Sequence, residues 1–234
     1  MKKVVRVVFT LGGIIALAGM AYWFSRPTLP VPVGACTPPP SGPGWINLLD
    51  PAHRDGWRNI TDDKDIFALE GEQLHIFGHT VYPLRYVGYE TERFGDFELH
   101  LEVKVTPGAN SGIFLRAQPN DPVYRGFEVQ VLEDHGDAPH KNGSGALYDV
   151  VTPMYNMALP AGEWNSYDIT VVGGEVIVFM NGWRVVHADL DQMTLPLGKF
   201  TTPFATLPRD GLLLLQDHGG EVWYRNIWIK KRKA

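Results

Sequence analysis

The chain has 234 residues, a formal charge of -5, 44% hydrophobic residues and a single cysteine, Cys36. An intrachain disulfide is therefore excluded, and the length is enough for one domain with a substantial core. The charge is unevenly placed. Lys2, Lys3, Arg6 and Arg26 precede the first acidic residue, Asp50, so the remainder carries 17 basic against 26 acidic side chains. Such an acidic domain, basic only at its Lys230–Lys233 end, is a poor nucleic-acid partner.

In chain order, Lys2, Lys3 and Arg6 lead into 18 uncharged residues, Val7 to Phe24. This reads as an apolar helix over residues 1–26, serving as a membrane anchor or a cleaved secretory signal. Either way the rest is exported to the periplasm or cell surface. Tyr22 and Trp23 suit the far membrane interface and put the anchor first. Seven prolines among the 18 residues from Pro27 to Gly44 predict an extended spacer. Within it "VGAC" is similar to a lipoprotein box ending at Cys36, which adds a third mode of attachment.

From Trp45 to Ala234 the pattern is that of short strands. "DDKDIFALEGEQLHIFG" predicts a loop and a short strand pair around Ile66, Phe67, Leu74 and Ile76. "DFELHLEVKV" alternates Phe97, Leu99, Leu101, Val103 and Val105 against Glu98, His100, Glu102 and Lys104, and the Pro107-Gly108 turn leads to a further strand. "GFEVQVL" puts Phe127, Val129 and Val131 on one face and Glu128 and Gln130 on the other. "WNSYDITVVGGEVIVFMNGWRVVHA" divides into three strands at Gly173-Gly174 and Asn181-Gly182. "GLLLLQDHG" and "EVWYRNIWIK" supply the last two. About a dozen strands without an amphipathic helix predict an all-β sandwich of two antiparallel sheets.

Six blocks in order, "GDFELHLEVKVTPGANSGIFLRA", "GFEVQVLEDH", "SGALYDVVTP", "AGEWNSYDITVVGGEVIVFMNG", "GLLLLQDHG" and "VWYRNIWIK", resemble the bacterial 3-keto-disaccharide hydrolase family, also described as 3-keto-glucoside 1,2-lyases and hydratases. The resemblance implies a concanavalin- or laminin-G-like jelly roll and a sugar or glycoside substrate bearing a 3-keto group. Leu195–Asp210 departs from the family pattern, and its Lys199, Phe200 and Pro203 could shape a different groove rim.

The implied chemistry starts at C2, whose hydrogen the neighbouring carbonyl makes acidic. A base removes it, and the aglycone oxygen leaves C1 with help from an acid. Glu128 is the first candidate for this acid–base work, against the alternative of a solvated sheet face. His218 and Tyr148 complete the catalytic set. Gln130, Arg116, Phe114, Asn110 and Gln216 are candidates for holding sugar, with Arg116 open to a structural ion pair instead. Glu133, Asp134, His135 and Asp217 follow strand ends and could gather a divalent cation, the one cofactor considered, or simply hydrogen-bond within loops. A non-catalytic, membrane-tethered carbohydrate-binding module is the competing reading, because such a fold serves both purposes.

Overall fold

A computed structural model describes residues 33–61, 65–79 and 82–232. The apolar segment expected over residues 1–26 lies outside them. Thirteen strands are formed among the described residues: β1 (Ile46–Asn47), β2 (Trp57–Asn59), β3 (Phe67–Glu70), β4 (Gln73–Ile76), β5 (Arg85–Phe94), β6 (Phe97–Val105), β7 (Asn110–Ala117), β8 (Phe127–Leu132), β9 (Trp164–Val172), β10 (Glu175–Met180), β11 (Trp183–Asp189), β12 (Gly211–Asp217) and β13 (Val222–Lys231). They make two antiparallel sheets. One runs β11-β10-β9-β6-β13-β4-β3 with β1 beside β13, and the other runs β2-β5-β12-β7-β8. No helix among the described residues is long and apolar enough to cross a membrane.

The alternation read from the sequence is the packing rule of the sandwich. Leu99, Leu101, Val103, Ile113, Val129, Val131, Leu213 and Leu215 belong to one buried cluster between the sheets. Their neighbours at odd steps point away from it, because successive strand side chains project to opposite faces. Both glycine-containing dipeptides act as expected, with β9, β10 and β11 pairing as a meander around them. β5 was not anticipated; "RYVGYETERF" mixes aromatic, glycine and acidic residues, since its stretch Glu90–Arg93 runs along the surface before Phe94 returns to the core.

Two strands break the simple period, and both breaks have the same cause. On β13 Asn226 has a positive φ of 50°, and the register slips between Arg225 and Trp228. Val222 and Tyr224 face inward before the slip, and Ile227 and Ile229 after it. A uniform alternation from Val222 to Trp228 would have put Ile227 outside. On β7 Arg116 also has a φ of 50°, and β12 advances from Leu212 to Leu214 while β7 advances from Ala117 to Phe114. The extra residue is a bulge, which re-aims the side chain that follows.

The proline-rich segment is not wholly a free spacer. Ala35 N–H donates to Asn181 O at 3.2 Å, Thr37 N–H to Ser166 Oγ at 2.8 Å, and Thr37 Oγ1 to Asp168 Oδ2 at 3.0 Å. Residues around Cys36 therefore lie against β9 and the β10–β11 turn, and burial pushes the Cys36 thiol up to about 11. Short polar side chains on the outer surface of β9 offer donors and acceptors that an extended, hydrogen-bond-hungry backbone can use.

Candidate active site

The outer surface of the five-stranded sheet carries a second, smaller apolar group: Tyr86, Phe114, Ala117, Leu212 and Leu214. Beside it the strands place a polar patch. Gly112 on β7 pairs with Gln130 on β8, and Phe114 pairs with Glu128. Leu214 on β12 faces Phe114, and Gln216 faces Tyr86 on β5. The result is one pocket lined by Tyr82, Leu84, Asn110, Phe114, Val123, Glu128, Gln130, Tyr148, Lys199, Gln216 and His218.

Gly112 makes room for the carboxyl at its centre. A Cβ at this position would stand 2.2 Å from Glu128 Oε1. Glu128 is 8% exposed, and burial raises its pKa to about 8, opposed only by the positive charge of Lys199. At neutral pH Glu128 is thus mostly a neutral acid. Burial in low dielectric penalises the charged form, and no arginine or backbone cluster offsets it.

The neighbouring amides form a chain. The Gln130 nitrogen faces Ser111 O at 3.2 Å and Glu128 Oε1 at 3.0 Å, the orientation in which every amide atom meets a complementary partner. Its oxygen then takes up the 3.1 Å contact with the Asn110 amide, whose other end lies 2.9 Å from His218 Nδ1. Matching donors to acceptors along this chain turns the Asn110 oxygen toward His218. The neutral imidazole then carries its proton on Nδ1 and leaves Nε2 with a free lone pair. Burial lowers the His218 pKa, so the neutral form prevails at pH 7. The ring of Tyr82 meets His218 edge-on at 5.8 Å.

Tyr148 enters the pocket because residues 145–148 run alongside β8. Gln130 N–H donates to Ala146 O at 3.0 Å, and Tyr148 N–H donates to Glu128 O at 3.0 Å. Its phenol is pushed up, first by burial and then by the charge of Glu128, and remains a donor at neutral pH. Lys199 Nζ stands 4.4 Å from the Tyr148 ring centre. The Lys199 backbone is held by the Asp149 carboxylate. Gly198 has a φ of 56°, and any Cβ there would strike Asp149 at 2.3 Å. Gln216 and Tyr86, cross-strand neighbours, are buried together beside the pocket, and their side chains interact with each other.

Of the residues singled out from sequence, Glu128, His218, Tyr148, Gln130, Phe114, Asn110 and Gln216 share this pocket. Arg116 does not. The bulge sends its guanidinium away from the groove, where it donates to Gly95 O at 2.9 Å, Gly173 O at 2.8 Å and Asp96 Oδ1 at 3.0 Å. Nor do the expected cation ligands converge. Glu133 accepts from Gly108 N–H at 3.2 Å, Asp134 from Ser144 N–H at 2.9 Å, and His135 Nδ1 meets Ala158 O at 2.6 Å. Asp217 is buried at the end of β12 and accepts weakly from Gly219 N–H at 3.5 Å. Among the described residues no three His, Cys, Asp or Glu side chains are grouped to hold a metal ion. Tyr82, Leu84 and Val123 were missed, because they sit on loops without a periodic signal. Lys199 was visible only as part of an unusual rim.

Two tryptophans on the other sheet's outer surface are covered by their neighbours, while Trp183 on β11 is exposed beside Tyr155. Trp223 stacks on His75 at 4.4 Å with 15° between the rings, and Lys104 Nζ lies 4.7 Å from the Trp223 ring centre. In the strand register, Trp223 stands between His75 and Lys104, so both its faces are covered. Trp164 is covered by Arg225 at 4.0 Å.

Fold and pocket define a class: an antiparallel jelly-roll-type sandwich whose polar pocket, built around a buried carboxyl, suits a hydroxyl-rich ligand. The chain belongs to the family of 3-keto-alpha-glucoside-1,2-lyase-like domains, which it matches over residues 44–230. It is 34% identical to a 3-keto-disaccharide hydrolase of Bacteroides thetaiotaomicron, over 82% of this chain and 80% of that protein. A crystal structure of a protein named as a glycosyl hydrolase from Parabacteroides distasonis superposes with a TM-score of 0.70 at 23% identity, covering 80% of this chain and 99% of the other. The carbohydrate-binding module CBM66 of Bacillus subtilis shares the fold, with a TM-score of 0.52 at 12% identity over 75% of this chain and 96% of the module.

Proposed function

We propose that this protein cleaves 3-keto-glycosides by elimination, with His218 as base and Glu128 as acid. The family assignment supports the substrate class. The observation that supports the roles is the opposite displacement of two pKa values within one pocket: Glu128 up to about 8, His218 down. Pairs of titratable groups pushed apart by their surroundings mark acid and base assignments.

The neutral His218 Nε2 takes the proton from C2, and the C2 electrons move toward the C3 carbonyl to form an enolate. The electrons then return, the C1–O bond breaks, and protonated Glu128 gives its proton to the departing aglycone oxygen. The products are a free alcohol and an unsaturated 3-keto sugar. In the second half, water adds to C1 of this enone and C2 regains a proton, giving the 3-keto monosaccharide. Lys199 and the phenol of Tyr148 supply positive charge and a hydrogen bond for the enolate oxygen. Gln130, Gln216 and Asn110 hold sugar hydroxyls, and Phe114 underlies the apolar side of the ring.

This path differs from ordinary glycoside hydrolysis, which places two carboxylates across the anomeric carbon. Among the described residues the pocket is lined by one carboxyl, Glu128, and the electrophile comes from the substrate's own ketone. Incubation with a 3-keto-glucoside and with its parent glucoside tests the reading. Release of aglycone from the keto substrate alone is expected; equal cleavage of both, or of neither, refutes it. Export remains part of the proposal and rests on the apolar N-terminal sequence.

A further inference from the structure

The edge strand β11 carries an exposed apolar patch that the reaction does not use. Trp183, its first residue, and Tyr155 are both exposed, and their rings meet edge-on at 6.1 Å. Met154 is 63% exposed, and its N–H donates to Val185 O at 2.8 Å, which lays the Met154–Tyr155 stretch along the outer edge of β11. Val33, 86% exposed, completes the group, its carbonyl accepting from the Trp183 indole Nε1 at 3.3 Å. None of these four side chains lines the pocket around Glu128. We propose that the patch is a bilayer-contact surface, with Trp183, Tyr155, Met154 and Val33 resting among the lipid headgroups. The proposal rests on Val7–Phe24 being a membrane anchor and is independent of the chemistry assigned to Glu128 and His218.

The course of the chain beyond the patch chooses this occupant. Eight residues, Ser25 to Pro32, separate Val33 from the apolar run Val7–Phe24. Fully extended, they reach at most about 28 Å. A folded unit of about 200 residues has a diameter on the order of 40 Å. With the apolar run in a membrane, the bilayer therefore lies nearer to Val33 than to the opposite side of the domain.

Composition points the same way. Val33–Cys36, Thr152–Met157 and Asn181–Val186, the stretches that build the patch, contain no acidic residue, although acidic side chains outnumber basic ones 26 to 17 beyond Arg26. Their one charged residue is Arg184, which is exposed and whose guanidinium suits a lipid phosphate. Tryptophan and tyrosine, apolar in body and polar at one end, favour the membrane–water interface. A glycan would require hydrogen-bonding side chains around an aromatic face. Here the neighbours are methionine and valine, and the nearby amides are committed to the backbone: Asn156 Nδ2 donates to Asp134 O at 2.6 Å, and Asn181 Nδ2 to Met157 O at 2.7 Å.

The full-length chain tests this in vesicles of phosphatidylcholine and phosphatidylglycerol brominated on the acyl chains near the headgroup. Cys36→Ser removes the native thiol, and a bimane label is attached at Met154→Cys or at Leu195→Cys, an exposed apolar position outside the patch. The brominated lipid is expected to quench the label at 154 about twofold or more and the label at 195 by less than about a tenth, because an interfacial surface sits within reach of the upper acyl chains. Adding Trp183→Ser and Tyr155→Ser is expected to remove the quenching at 154 while kcat/KM on a soluble 3-keto-glucoside stays within about twofold of wild type, since these rings lie outside the pocket. Equal quenching at both positions, or quenching that survives the two serines, overturns the surface. A label at 154 that is shielded from water yet unquenched shows that protein covers the patch, and overturns it too. A chain that does not float with the vesicles overturns the anchor and the surface together.

Discussion

Glu128→Gln changes one atom in a buried pocket, and its effect on stability should depend steeply on pH. Glu128 titrates near 4.5 when exposed and at about 8 in the folded protein. A carboxyl raised in this way favours folding fully below pH 4.5. As pH rises from 4.5 to 8 the unfolded chain gives up its proton while the folded chain keeps it, and stability falls by about 1.4 kcal/mol per pH unit. Above pH 8 the loss levels off, at on the order of 5 kcal/mol. Glutamine cannot ionise, and its oxygen can still accept from the Gln130 nitrogen that lies 3.0 Å from Glu128 Oε1. The variant should therefore match wild type near pH 4.5 and exceed it at pH 9. For a chain of this size a kilocalorie moves the midpoint by about 2–4 °C, so a gain on the order of 10 °C is expected at pH 9. Thermal denaturation of both proteins across pH 4.5–9 measures it. Parallel curves would show that Glu128 ionises normally when folded, and the acid role would fall.

The same two groups predict a bell-shaped kcat/KM profile, rising through a His218 pKa below 6.5 and falling through that of Glu128 near 8; a monotonic rise beyond pH 9 would contradict it. Gly112→Ala should cost about a hundredfold or more in kcat, because the new Cβ displaces the Glu128 carboxyl, and a crystal structure of the variant would show that shift. Arg116→Met should lower stability by about 2–4 kcal/mol through the loss of its buried hydrogen bonds, with KM unchanged; a raised KM with normal stability would return Arg116 to the substrate. Cys36 should react slowly with iodoacetamide at pH 8 in the native protein and quickly in urea, since its thiol is pushed up to about 11; rapid native labelling would show that the segment around it is undocked.

The face assignments of β6, β7 and β8 were legible because each strand buries one side, and a one-residue slip would expose every apolar side chain. That rule placed Glu128 and Gln130 opposite Phe127 and Val129, and it carried Phe114 to the same surface, whereas Asn110, which reads as a turn residue, opens β7. It failed at Arg116 for a local reason. A positive φ at a non-glycine residue has no marker in a run such as "GIFLRAQ", and the bulge turns the side chain by a strand's half-turn. The cation ligands failed for a different reason. Asp-His-Gly at two strand ends looks like a repeated site, but Asp134 is committed to the Ser144 amide and Asp217 lies buried at its own strand end. Lys199 reaches the pocket only because Asp149, fifty residues earlier, anchors its backbone, and no local pattern encodes a contact of that range.

The central claim is abstraction of the C2 proton next to a ketone. The most direct measurement is the rate of aglycone release from a 3-keto-glucoside carrying deuterium at C2, beside the protio compound and the parent glucoside. A primary isotope effect or loss of the C2 label to solvent, with the parent glucoside left intact, is the expected result. Cleavage of the parent at a similar rate, with the C2 deuterium retained in the product, would contradict the account.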